Sequence, residues 1–150
     1  MKLEIKFVSD KIGKEISQPF YATEGSAGMD LAACIDEPLT LLPGERVAVP
    51  TGVAIAIPSI NYVGLVYVRS SLGFKKGITL PNSVGVIDSD YRGEILVAMV
   101  NLSNEDYTIQ PGDRIAQLVI TPIMRPEISI VEELSSTDRG DGGFGSTGRK

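Results

Sequence analysis

Residues 45–68 read ERVAVPTGVAIAIPSINYVGLVYV, and this stretch decides the fold class. Val and Ile dominate it, as they do on pleated, half-buried surfaces. Pro50 cannot donate to a sheet ladder, so residues 45–57 read as two short strands. Pro58-Ser59 marks a turn, and residues 62–68 form a further β-rich run. Working outward, residues 2–8 alternate polar and apolar with period two, the pattern of a strand with one buried face. Residues 94–101 and 114–121 are also β-rich, with Pro43-Gly44 and Pro111-Gly112-Asp113 as turn signals between runs. The only helical signal is a single turn over residues 70–75, after a strand. No internal repeat appears. Short strands punctuated in this way predict an all-β, sandwich or jelly-roll-like protomer.

At 150 residues the chain fits one domain with a core of its own. A formal net charge of -5 argues against a nucleic-acid-coating surface, which needs a basic stripe. It leaves room for a small phosphorylated ligand, because a few arginines suffice for a local positive pocket. Cys34 is the single cysteine, so no intrachain disulfide forms, and there is no histidine. Zinc sites of the Cys/His kind and His-based triads are thereby excluded, and a general base must be a carboxylate or something less common. No apolar run is long enough to span a membrane, and Glu4 and Lys6 interrupt any signal peptide. A cytoplasmic location is the expectation.

The C-terminal segment differs from the rest. Residues 1–134 carry the β pattern, and from Ser135 it stops. Residues 139–148 contain five glycines, which have little side chain to pack. Such a tail is either a frayed end or a lid that orders over a ligand. Arg139 and Phe144 favour the lid, since a linker has no use for a cation and an aromatic ring.

Three segments bear on chemistry. Residues 86–93 read VIDSDYRG. A plain hairpin turn is one reading. A calcium loop is another: Asp88, Asp90 and Gly93 stand at the first, third and sixth positions. Cationic Arg92 at the fifth and Met99 at the twelfth defeat it. The third reading makes one carboxylate a general base beside an aromatic platform, which suits a chain without histidine. Residues 68–73 read VRSSLG, where a serine is an ordinary helix N-cap. Arg69 beside Ser70 and Ser71 makes phosphate binding the better reading. Finally, residues 143–148, GFGSTG, have the glycine spacing of a P-loop. Arg149 then stands where lysine belongs and Lys150 where Ser or Thr belongs, so an ATPase is rejected. Lys75 and Lys76 read as a solvated surface.

In this order and spacing, AGMDLAA (27–33), VRSSLGF (68–74), PNSVGVIDSDYRG (81–93), PGDRIAQLVI (111–120) and RGDGGFGSTG (139–148) closely resemble the motifs of the homotrimeric dUTPases. The resemblance implies a β-sandwich or jelly-roll-like (β-clip) protomer in a trimer whose active sites are shared between subunits. It implies hydrolysis of dUTP to dUMP and pyrophosphate, which removes dUTP and supplies dUMP for thymidylate synthesis. Asp88 matches the carboxylate that activates water for attack on the α-phosphorus. Tyr91 matches the ring under the deoxyribose, where a 2′-OH would clash. Uracil is read by the hairpin at Val86, Ile87 and Leu96, with Asn82 assisting. Arg69, Ser70 and Ser71 match the phosphate-binding turn, and Gln117 a contact near the α-phosphate. Arg139 matches the γ-phosphate partner in the tail, and Phe144 the ring that stacks on uracil, with Gly145 and Ser146 beside it. Asp30 takes a supporting role in the water shell of Mg2+, which is held by phosphate oxygens and waters rather than by protein ligands. Neither nucleic acid nor membrane is implied as a partner.

One departure stands out. Many dUTPases have glycine at the position of Ser71, and Arg-Ser-Ser also occurs in the related dCTP deaminases. Those enzymes carry a catalytic glutamate where this chain has Ala98, and they do not need the Arg/Phe tail. A deaminase-like or bifunctional enzyme, and a non-catalytic nucleotide-binding regulatory trimer, are the alternatives. The retention of Asp88, Tyr91, Arg139 and Phe144 argues against the second.

Overall fold

A computed structural model describes residues 1–143 of the chain. Eleven strands and one short helix follow in order: β1 (Glu4–Phe7), β2 (Phe20–Tyr21), β3 (Met29–Ala32), β4 (Leu39–Leu41), β5 (Arg46–Ala56), β6 (Tyr62–Val68), α1 (Ser70–Lys76), β7 (Ile78–Thr79), β8 (Gly85–Ile87), β9 (Glu94–Asn101), β10 (Tyr107–Ile109) and β11 (Arg114–Pro122). They form a four-stranded sheet ordered β1-β5-β9-β7, a five-stranded sheet ordered β2-β3-β11-β6-β8, and a β4–β10 pair. Every pairing between these strands is antiparallel. The fold is all-β, as the alternating patterns predict.

One core joins the sheets. Val49, Val53, Ile95, Val97 and Met99 from the four-stranded sheet pack in the same cluster as Leu31, Val66, Ile115 and Leu118 from the five-stranded one. Asn101, fully buried, ties the β4–β10 pair to β9. Its amide donates to the carbonyls of Leu41 and Glu105, and its Oδ1 accepts from the Ser103 amide and hydroxyl. Buried polar atoms placed in this way cost little, because each has a partner.

Three expectations are corrected. Residues 46–56 are one strand rather than two. Pairing with β9 jumps from Pro50↔Leu96 to Ala54↔Glu94, a bulge that passes over the proline. Its ladder bonds are replaced by side chains: the Thr51 hydroxyl donates 2.7 Å to Ile95 O, and the Gly52 amide donates 2.7 Å to Glu94 Oε1. Gly52 has φ +68, and a Cβ there would meet Ile12 and the Cys34 sulfur at 2.9 Å, so glycine is required on two counts. Next, β1 is exposed on both faces within the protomer, because it pairs at the outer edge of β5 instead of lying over the core. Last, α1 has seven residues, not a single turn, and ends on Gly77 in the left-handed conformation. Residues 123–143 carry no strand, and almost all of them are exposed.

Candidate active site

The five-stranded sheet brings four of the quoted segments together. Asp30 on β3 lies opposite Gln117 on β11, and Gln117 lies opposite Tyr67 on β6. The last residue of β6, Val68, leads into Arg69 and α1. The middle of β6 pairs with β8, Leu65 opposite Val86. One strand, β6, therefore runs at its end into Arg69 and α1 and pairs along its length with β8; β8 and β9 belong to different sheets, so among the described residues the expected hairpin is not a paired one.

At the end of β6, Asp30 is buried and ion-paired with two guanidiniums. Arg69 Nε lies 3.2 Å from Oδ1, and Arg114 Nη1 donates 2.9 Å to Oδ2. Charge-assisted contacts to a desolvated carboxylate are among the stronger hydrogen bonds, so both cations are held before any ligand arrives. Sequence reasoning missed Arg114. A regular strand would place residues 114 and 117 on opposite faces. The register instead runs Gln117↔Asp30, Ala116↔Leu31, Arg114↔Ala32, so Ile115 is an extra residue. That bulge turns Arg114 onto the face of Asp30 and Gln117. Only its place in the quoted PGDRIAQ segment hinted at it.

Arg69, Ser71, Lys75, Lys76, Tyr107 and Arg114 line a cavity of about 430 Å³. Burial, aided by the Asp113 carboxylate, pushes the Tyr107 phenol up, so it stays a neutral hydroxyl. The N-cap of α1 is Arg69, which makes no side-chain cap, so the serine N-cap reading is not realised. Gln117 Nε2 reaches Val68 O at 3.4 Å, a loose contact, and its side chain packs against Gly28.

The β8 side is built differently. β8 is the edge of its sheet, so one row of its main-chain donors and acceptors is unpaired. Val86 is exposed and Ile87 half-buried, Asn82 is exposed, and Leu96 on β9 is also exposed. Ser83, beside Asn82, has φ 64, and the Val84 amide closes the turn on Asn82 O at 2.7 Å. In the following turn the Tyr91 amide donates to Asp88 O, and Arg92 Nη1 donates to the carbonyls of Ser89 and Tyr91. The Tyr91 hydroxyl donates 2.9 Å to Glu94 O, laying the ring over Gly93 so closely that a Cβ there would collide with it. Asp88 is exposed and makes no ion pair among the described residues. With Ser89, Asp90, Tyr62 and Arg125 it lines a separate cavity of about 360 Å³.

Within one chain, then, Asp88 lines one cavity and Arg69 and Ser71 the other, while Asp30, Ser70, Asn82, Val86, Ile87, Tyr91, Leu96 and Gln117 line neither. Arg139 lines neither; its Nε donates to Gly142 O in an exposed local turn. Phe144, Gly145 and Ser146 lie outside the described residues. Among the described residues no three His, Cys, Asp or Glu side chains gather as metal ligands, and no helix is long and apolar enough to cross a membrane.

The family model described as dUTPase matches residues 14–148. The chain belongs to the dUTPase family. It is 55% identical over 148 residues to the deoxyuridine 5'-triphosphate nucleotidohydrolase of Idiomarina loihiensis, covering 99% of this chain and 98% of that one. It is 46% identical over 149 residues to the enzyme of the same name from an Escherichia coli strain, covering 99% of both. Among solved structures, the Staphylococcus bacteriophage 80alpha dUTPase with dUpNHpp superposes with a TM-score of 0.84 at 32% identity, over 98% of each chain. A mutant dUTPase from phage phi11 of S. aureus, described for the coordination of a structural Mg(II) ion, gives 0.78 at 28% identity, over 91% of this chain and 100% of that one. As in those dUTPases, the fold is built from antiparallel β-sheets. Ala98, the position that would separate a deaminase, sits in β9 opposite Ala48 and offers no carboxylate.

Proposed function

We infer that this chain hydrolyses dUTP to dUMP and pyrophosphate. The observation that carries the reading is that β6 pairs along its length with β8, the edge strand that leads to an unpaired carboxylate at Asp88, and runs at its end into Arg69, one of two guanidiniums preset on Asp30. The unpaired main chain of β8 at Val86 and Ile87, with Asn82 and Leu96, reads the uracil edge. Tyr91 lies beneath the sugar. Arg69, Arg114, Ser70, Ser71 and Gln117 hold the phosphates, and Asp30 supports the site through the two arginines. Asp88 takes a proton from water as its oxygen attacks the α-phosphorus. The bond from that phosphorus to the bridging oxygen breaks, and pyrophosphate leaves.

Both Asp30 oxygens are engaged by guanidiniums. This donor set fits an ion carried on substrate phosphates better than a protein cage. Bound there, Mg2+ would neutralise developing charge on the phosphates. The separation of Asp88 from Arg69 and Ser71 into different cavities of one chain supports a homotrimer in which each site borrows from its neighbours. Residues 135–150 close over the site, Arg139 on the γ-phosphate and Phe144 on uracil. The enzyme works in the cytoplasm, on the free nucleotide pool.

Pyrophosphate release from dUTP with magnesium tests the activity; ammonia release from dCTP would instead reveal a deaminase. Deleting residues 138–150 should remove most turnover while the melting temperature without ligand barely moves, because the described part of that segment buries almost nothing. Mixing that variant with Asp88→Asn should recover activity in hybrid trimers. No recovery, in mixtures shown to exchange subunits, would mean that each tail serves its own chain.

A further inference from the structure

We propose that Lys75 and Lys76 steer the triphosphate into the Arg69–Arg114 cleft, acting on capture rather than on the reacting atoms. This rests on the reading of Arg69 and Ser71 as phosphate-holding residues. The two lysines and the two arginines line one cavity, with Asp113 the one carboxylate among its described lining residues, on a chain whose formal net charge is -5. A local positive cleft on an acidic protein focuses the field for an anion approaching from solvent.

The helix geometry separates this from an idle solvated surface. Leu72 is the buried residue of α1, and positions 75 and 76, three and four residues later, share its face. Phe74 takes the opposite side and is 93% exposed. Both lysines are exposed, and both line the cleft beside Arg69. Among the described residues neither lysine makes an ion pair, whereas Arg69 and Arg114 are both tied to Asp30. The lysines also line a neighbouring cavity with Glu105 and Asp106, so a cavity with two carboxylates adjoins the cleft, where Asp113 is the one carboxylate among the described lining residues. Two long, untethered cations suit attraction at a distance; two tethered to a buried carboxylate suit holding.

The test is the double variant Lys75→Gln/Lys76→Gln, with kcat/KM for dUTP measured as ionic strength rises. Arg69→Gln and Lys14→Gln, an exposed lysine on another part of the surface, are run beside it. The double variant should lose roughly tenfold in kcat/KM at low salt, the lower end of what a focusing cleft delivers. The loss should fade once the Debye length falls to about 3 Å near 1 M. It should fall on kcat/KM rather than kcat, Lys75→Arg/Lys76→Arg should restore the salt response, and Lys14→Gln should track the wild type. An unchanged salt dependence in the double variant overturns steering, as does a loss in kcat equal to that in kcat/KM. If Arg69→Gln leaves both KM and kcat for dUTP intact, the phosphate reading of the cleft itself fails. If Arg69→Gln weakens dUTP while the lysine variant keeps the wild-type salt response, only steering fails.

Discussion

The two sides of the site are positioned by different kinds of interaction. Around Asp30, side chains do the positioning: one buried carboxylate holds two guanidiniums, each only partly exposed. Around Asp88, main-chain carbonyls do it. The Tyr91 amide and the Arg92 guanidinium donate to carbonyls of residues 88, 89 and 91 and shape the turn, and the Asp88 carboxylate is left without an ion-pair partner among the described residues. On the proposed function, the contrast follows from what each side would do. Phosphate binding gains from cations fixed in advance, since ordering them on binding would cost affinity. A general base must keep its proton-accepting oxygen free, and a guanidinium on Asp88 would weaken it.

The sharpest way to break that comparison is Asp88→Asn. Turnover should fall by about 10² or more, while a non-hydrolysable dUTP analogue still binds by calorimetry. Near-normal turnover would move the base to Asp90, which lines the same cavity, or to Asp30.

Asp30→Asn probes the other side. With the charge that holds both guanidiniums gone, KM for dUTP should rise about tenfold, equivalent to about 1.4 kcal/mol and close to the low end for one charged hydrogen bond. The kcat should change less, and Asp30→Glu should recover part of the loss. A fall confined to kcat would mean that Asp30 acts on the chemistry and not through Arg69 and Arg114.

The smallest expected effect belongs to Gly93→Ala. A Cβ at this position collides with the Tyr91 ring, which must swing out. The ring is 44% exposed, so the fold loses little, and the melting temperature should stay within a few degrees. The preference for dUTP over UTP should narrow, because the displaced ring no longer excludes a 2′-OH. An unchanged preference would mean that another residue sets the sugar choice.

Much of this was legible beforehand. Alternation and turn residues gave away the strands at 62–68, 94–101 and 114–121, because burial on one face writes a period of two into the chain. The lack of histidine pointed to a carboxylate base, and the resemblance of five segments to the dUTPases pointed to Asp88, Tyr91 and Arg69. Other features were hidden. Short strands such as β2, β7 and β8 carry too few residues to show a period, and Pro50 made one bulged strand look like two.

What the sequence determined by itself was the residue inventory and its alternation, which are local properties of the chain. What only the tertiary structure decided was which of those residues meet. Asp30 and Arg114 are 84 positions apart, and simple alternation puts Arg114 on the wrong face of its strand to join Gln117. A single extra residue at Ile115, tolerated where β11 pairs with β3, turns Arg114 round to the carboxylate. Strand faces follow parity, and a bulge resets parity through pairing with a distant strand, which no local pattern records.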